Sequence, residues 1–108
     1  MKIRVFLESI HNEFFAEAYY EDGAITVLPG GYIRKHFASH IRGGKTSRDY
    51  RDNPEYVSDD MTILKECSFS SPSTAAQFVT GRSTNGYDAW KVEDKKSLNQ
   101  FLKELRLK

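Results

Sequence analysis

Arg82, Ser83, Asn85, Tyr87 and Trp90 fall in one short stretch of a 108-residue chain. Arg82 can hold a phosphate with two parallel hydrogen bonds or stack on a base. Asn85 can make paired hydrogen bonds to a base edge. Tyr87 and Trp90 offer π-faces to a splayed base or a methylated group. These residue types suit a recognition surface. A structural account competes: Asn85-Gly86 as a tight turn, Arg82 as a cap on helix carbonyls, Trp90 as core. For Trp90, the single tryptophan, the structural account is the stronger, because a lone Trp in a small domain usually anchors its core.

A second candidate surface lies in the distribution of charge. The net charge is only +1, but it is unevenly placed. Between Val5 and Ile33 there is no Lys or Arg, while Glu8, Glu13, Glu17, Glu21 and Asp22 are acidic. Between Arg34 and Arg51 the sign reverses: Arg34, Lys35, Arg42, Lys45, Arg48 and Arg51 face only Asp49. Such a segment can bind phosphates. It can equally be a solvated loop whose charges pair with the acidic N-terminal strands.

Other chemistries fail on spacing. Gly44-Lys45-Thr46 resembles the tail of a phosphate-binding loop, but that motif needs glycine where Ser39 stands, and a preceding strand. His36 and His40 could share a helix face, but HFASH lacks the glutamate of the zinc-protease pattern, and no cysteine pair is available to complete a structural site. Cys67 is the only cysteine and has no evident activating base, so it reads as a small core residue in a chain suited to a reducing cytoplasm. Ser70, Ser71 and Ser73 lack a nucleophile-elbow frame. Neither a signal peptide nor a run of about 20 apolar residues is present. The expectation is a non-enzymatic cytoplasmic module without cofactor or metal.

The elements that must position these residues form one α+β domain over 1–108. Lys2 to Glu8, Phe14 to Tyr20 and Ala24 to Leu28 read as an antiparallel β-meander, with Asp22-Gly23 as its hairpin signal. Val5, Leu7, Phe15, Ile25 and Val27 are its expected buried face. Ile33, Phe37 and Ile41 predict a short helix over 32–42, stopped by Gly43-Gly44. Residues 43–60 read as a mobile basic loop. An extended segment over 61–69 leads to a helix with Ser71 as N-cap, Pro72 in its first turn and Gly81 as its stop. Tyr87 to Val92 reads as a strand. Ser97 and Gln100 form a capping box for a C-terminal amphipathic helix striped by Leu98, Phe101, Leu102 and Leu105.

The run Phe69 to Lys91, with Ser97-Leu98 after it, closely resembles a bacterial domain-of-unknown-function family, number 4357. The shared pattern is F-S-S-P-S-x-A-A, then G-R-S-x-N-G, then W-K, within residues 69–108. The hairpin EAYYEDGAITVLPGG resembles the family's N-terminal part, with Gly31-Tyr32 where Gly-Ser is usual, and after Asn85-Gly86 the chain has Tyr87 where the family usually has Trp. The resemblance implies a small α+β module found at the ends of proteins linked to GIY-YIG-type nucleases and restriction-modification systems. The same run is more distantly similar to the restriction-enzyme adenine-methylase-associated (RAMA) domain, which is linked to reading modified DNA. No catalytic residue carries over.

Two functional expectations follow. One is a non-catalytic nucleic-acid-binding accessory module, with phosphate contacts on Arg34, Lys35, Arg42, Lys45, Arg48 and Arg51 and recognition by Arg82, Ser83, Asn85 and Tyr87. The other is a protein-interaction or self-association module with no nucleic-acid role.

Overall fold

Alternating burial along the first third of the chain builds an antiparallel sheet. A computed structural model describes residues 2–38 and 44–106. Strands β1 (Ile3–Glu8), β2 (Phe15–Glu21), β3 (Ala24–Val27) and β4 (Cys67–Phe69) form a 4-stranded sheet in that order, every neighbouring pair antiparallel. Ile3, Val5 and Leu7 point to one face, as their period-two spacing dictates. Opposite them in register stand Tyr20, Ala18 and Ala16. Asp22 and Gly23 both adopt positive φ (49° and 90°), the mirror-image turn whose twist matches that of its strands.

Helix α2 (Pro72–Thr80) packs against the sheet. Ser71 Oγ accepts the Thr74 amide at 3.2 Å, Pro72 occupies the first turn, and Gly81 closes the helix at φ 69°. Ala75, Ala76, Phe78 and Val79 are fully buried. Helices α1 (Lys45–Arg51), α3 (Gly86–Ala89) and α4 (Leu98–Arg106) complete the α+β architecture. No described helix is long and apolar enough to cross a membrane.

The start of α2 is locked to α3 and to Trp90. The Trp90 indole donates to the Pro72 carbonyl at 3.0 Å, and the Gly86 amide donates to Ser73 Oγ at 2.9 Å. A Cβ on Gly86 would lie 2.2 Å from the Pro72 carbonyl oxygen, so glycine stands here for close backbone approach. Trp90 is completely buried, with Val5, Phe78 and Leu98 in the same core cluster. Lys91 then pairs with Phe6 at the outer edge of β1, through amide-to-carbonyl bonds of 2.8 and 2.9 Å.

Several expectations need correction. Phe15 faces outward and is half-buried; Ala16, Ala18 and Tyr20 take the inner face. The helix expected over 32–42 is absent from its described part. Its backbone groups are committed to distant partners: Tyr32 exchanges hydrogen bonds with Phe15, and the Ile33 amide donates to Met61. Ile41, His40 and Arg42 lie outside the described residues.

The loop reading of 43–60 fails over Lys45–Arg51, which is helical, and Gly44 begins that helix. The inward residues of α1 hid its period because they are polar or amphipathic. Ser47 is buried and donates to the Thr74 carbonyl at 2.9 Å, and Tyr50 packs on Phe69 and Phe78. The strand expected over 87–92 begins instead as the single turn α3, because the Asn85 carboxamide accepts the Tyr87 amide at 3.1 Å and so caps a helix.

Two outcomes test this packing. Gly86→Ala is expected to lower unfolding free energy by about 3 kcal/mol, since backbone must shift to admit the methyl; an unchanged urea midpoint would refute the lock. Burial pushes the Cys67 thiol up to about 12 from 9.0. The unfolded chain therefore releases that proton first, so Cys67 contributes a fall in stability as pH rises from about 9 towards 12. Cys67→Ala should remove that part of the alkaline decline in melting experiments, and native protein at pH 8 should resist thiol reagents until it is unfolded.

Candidate functional site

The last turn of α2 leaves carbonyl groups without helical amide partners, and the basic segment of the chain supplies donors to them. The Arg34 amide donates to the Val79 carbonyl at 2.9 Å and the Ala38 amide to Gly81 at 2.8 Å. The Arg34 guanidinium reaches the Thr80 carbonyl at 3.4 Å. Arg51 Nε donates to the Phe78 carbonyl at 2.9 Å, and its Nη1 to the Arg34 carbonyl at 2.8 Å. A Cβ on Gly81 would lie 2.0 Å from the His36 carbonyl oxygen, so only glycine lets this segment lie against the helix end. The negative end of the helix dipole favours both arginines there.

Arg51 is thereby committed to structure. Burial lowers its pKa to about 10, with the neighbouring charge of Arg34 acting in the same direction. It stays protonated at neutral pH. Its guanidinium and that of Arg48 lie over the Phe37 ring, 4.8 and 5.1 Å from the ring centre.

Arg34, Lys35 and Arg48 border two clefts that share Lys35. One, of about 410 Å³, is lined by Lys35, Phe37, Arg48, Arg51, Asp52 and Met61. The other, of about 370 Å³, is lined by Glu13, Arg34, Lys35 and His36. Lys35 and Arg48 are exposed. Lys45 is exposed too, and pairs with Asp49 one helical turn away at 2.9 Å. Arg82 joins this face through Glu13, whose carboxylate lies 3.4 Å from Arg34 Nε and 3.8 Å from Arg82 Nη2. Arg34 and Arg82 thus converge from distant parts of the chain.

The stretch after α2 is divided. Arg82 lies with the basic segment. Ser83 is exposed beside it in sequence. Asn85 is exposed but spends its carboxamide oxygen as the α3 cap. Tyr87 packs edge-on against Tyr20, ring centres 6.1 Å apart, and lines a separate cleft with Asn99, Leu102, Lys103 and Arg106. Trp90 is core. Arg42 lies outside the described residues.

Sequence reasoning missed Glu13 and Phe37 as members of this face. Glu13 was legible only as one of the acids available to the basic segment, and the Glu13–Arg34 pair realises that option. Phe37 was assigned to a helical stripe that does not form over its described part. The arrangement offers point charges and planar guanidinium groups around open clefts, suited to holding an anion. Among the described residues no cluster of His, Cys, Asp and Glu is grouped to hold a metal.

Arg51→Met should cost about 2 kcal/mol of stability, because the Phe78 and Arg34 carbonyls lose their donor; denaturant unfolding measures it, and a neutral result would show that these bonds are replaced by water.

A family model described as Domain of unknown function (DUF4357) matches residues 6–102. No curated protein and no solved structure matches the chain.

Proposed function

This chain belongs to the DUF4357 family, and on that footing we propose that it is a non-catalytic module that binds nucleic acid through its phosphates. Its setting is the cytoplasm, as an accessory to nuclease or restriction-modification proteins. The observation that carries this reading is the convergence of Arg34 and Arg82 beside Lys35, with Arg48 across the adjoining cleft. Positive groups spaced along one face match the repeating charge of a polynucleotide backbone. Lys35, Lys45 and Arg48 supply sequence-independent contacts, and Arg82 with Ser83 reads the position next to them. Arg51 supports this face from beneath. Asn85 and Tyr87 contribute through α3 and the Tyr20 contact rather than by stacking on a base. The likeness to the RAMA domain makes modified DNA the first ligand to try.

The self-association reading draws on a different surface. A cleft of about 740 Å³ beside the outer edge of β1 is lined by Ile3, Phe6, Val92 and Phe101, with Lys2 and Arg4 against Glu93 and Asp94. Its charges cancel, which suits a protein rather than a polyanion.

Fluorescence anisotropy with plain and methylated duplexes over a range of salt tests the first reading. The affinity should fall steeply with salt. Lys35→Glu combined with Arg48→Glu should weaken binding to every sequence by more than about tenfold and flatten the log–log salt slope by about 2, near one unit for each lost phosphate contact. Arg82→Ala should change preference among sequences. Absent or salt-independent binding would overturn the proposal, and a concentration-dependent mass in light scattering would favour self-association.

A further inference from the structure

Glu13 holds an unusual place on a face otherwise suited to anions. It ends the turn between β1 and β2, where Ser9 Oγ accepts the Glu13 amide at 2.6 Å and the Phe14 amide at 3.4 Å. The Ser9 amide also donates to the Phe14 carbonyl at 3.2 Å. The backbone of Glu13 is therefore anchored while its side chain reaches out. One carboxylate oxygen faces Arg34 and the other faces Arg82. This is the geometry of two oxygens of one phosphate, each addressed by its own arginine.

The carboxylate is loosely held. Its separations of 3.4 and 3.8 Å exceed those of good charge-assisted hydrogen bonds. The Glu13 side chain is 40% exposed and that of Arg82 is 53% exposed. Ion pairs in such surroundings contribute little, about 0–1 kcal/mol. Arg34 is better fixed, 20% exposed and hydrogen-bonded to the end of α2. The cleft beside it, lined by Lys35 and His36 as well, opens onto the same carboxylate.

We propose that Arg34 and Arg82 form a phosphate subsite which Glu13 fills in the free chain and vacates when a phosphate enters. The inference rests on the nucleic-acid reading above and adds to it a gated contact. The fixed Arg34 and the anchored turn preserve the subsite, while the Glu13 side chain swings aside. Displacing a weak internal pair costs little, and a phosphate offers each arginine an anionic oxygen in place of the carboxylate. The phosphate chemistry is shared by a polynucleotide and by free phosphate, and the two are separated by competition.

The test uses Glu13→Gln, which keeps the size of the side chain and the backbone anchor. Glu93→Gln, in the cleft beside β1, controls for net charge alone. With a labelled duplex at low salt, Glu13→Gln should bind at least about threefold tighter than wild type and with a steeper salt dependence, and Glu93→Gln should change affinity less than Glu13→Gln does. In an Arg82→Gln background the gain from Glu13→Gln should shrink or vanish, as coupling through a shared contact requires. Inorganic phosphate titrated against the protein alone should shift the side-chain NMR signals of Arg34 and Arg82 more in Glu13→Gln than in wild type if the subsite takes free phosphate. Shifts only with the duplex would assign it to the polynucleotide. Equal effects of the two glutamine variants, or a gain undiminished by Arg82→Gln, would overturn the subsite. If the Lys35 and Arg48 reversals still weaken binding by more than about tenfold, that result leaves the broader function standing. No binding by any variant would overturn both.

Discussion

The carbonyl end of α2 is the constraint around which this molecule is arranged. A helix that finishes inside a small protein must find donors for its last carbonyls or leave them buried and unpaired. Here they come from the main chain of Arg34 and Ala38 and from the side chains of Arg34 and Arg51. Gly81 makes the approach possible by turning left-handed and by having no Cβ to collide with His36. The other end of the same helix is held by its own side chains, by Ser71 and by Trp90. One short helix therefore joins the sheet, the basic segment and the C-terminal third.

The same constraint sorts the arginines and lysines into two groups. Arg51 commits Nε and Nη1 to the Phe78 and Arg34 carbonyls, with Nη2 buried and unpaired, whereas Arg34 gives one guanidinium nitrogen to the end of α2 and turns another towards Glu13. Lys35, Lys45, Arg48 and Arg82 remain in water, on elements whose positions the capping sets. Their exposed charges stand on a scaffold whose backbone ordering has been met in folding. Acids are excluded from neither cleft, since Asp52 and Glu13 line them. The local charge balance, rather than the total of +1, sets the character of this face.

Much of the F-S-S-P-S, G-R-S-x-N-G and W-K pattern has a structural account. Ser71 and Pro72 begin α2, Ser73 receives the Gly86 amide, Ala75 and Ala76 lie fully buried, Gly81 ends the helix, Asn85 caps α3 and Trp90 donates back to Pro72. Ser70, Arg82, Ser83, Asn85 and Lys91 are the exposed members of the pattern. A run that reads as a recognition motif is thus largely a packing motif with an exposed polar edge. The meander and its Asp22-Gly23 turn were legible because alternation and positive φ are local properties. The helical face of α1 was not, because Ser47 and Arg51 are polar and their burial depends on carbonyls far away in sequence.

The sequence by itself determined the elements whose signals are local: the strands of the hairpin, the start and stop of α2, the capped α4, whose expected stripe is buried at Leu98, partly buried at Phe101 and Leu102 and exposed at Leu105, and the α+β class that they compose. Their stabilising groups lie within a few residues of one another, so spacing alone exposes them. Tertiary structure decided the rest. Tyr32 to Ala38 gave up a helical period because Phe15, Met61, Val79 and Gly81 offered it better-placed backbone partners. Asn85-Gly86 became a helix cap because Pro72 and Ser73 close over Gly86. Arg34 and Arg82 came to face one carboxylate because the β1–β2 turn and the end of α2 meet in space, a proximity that no residue spacing records.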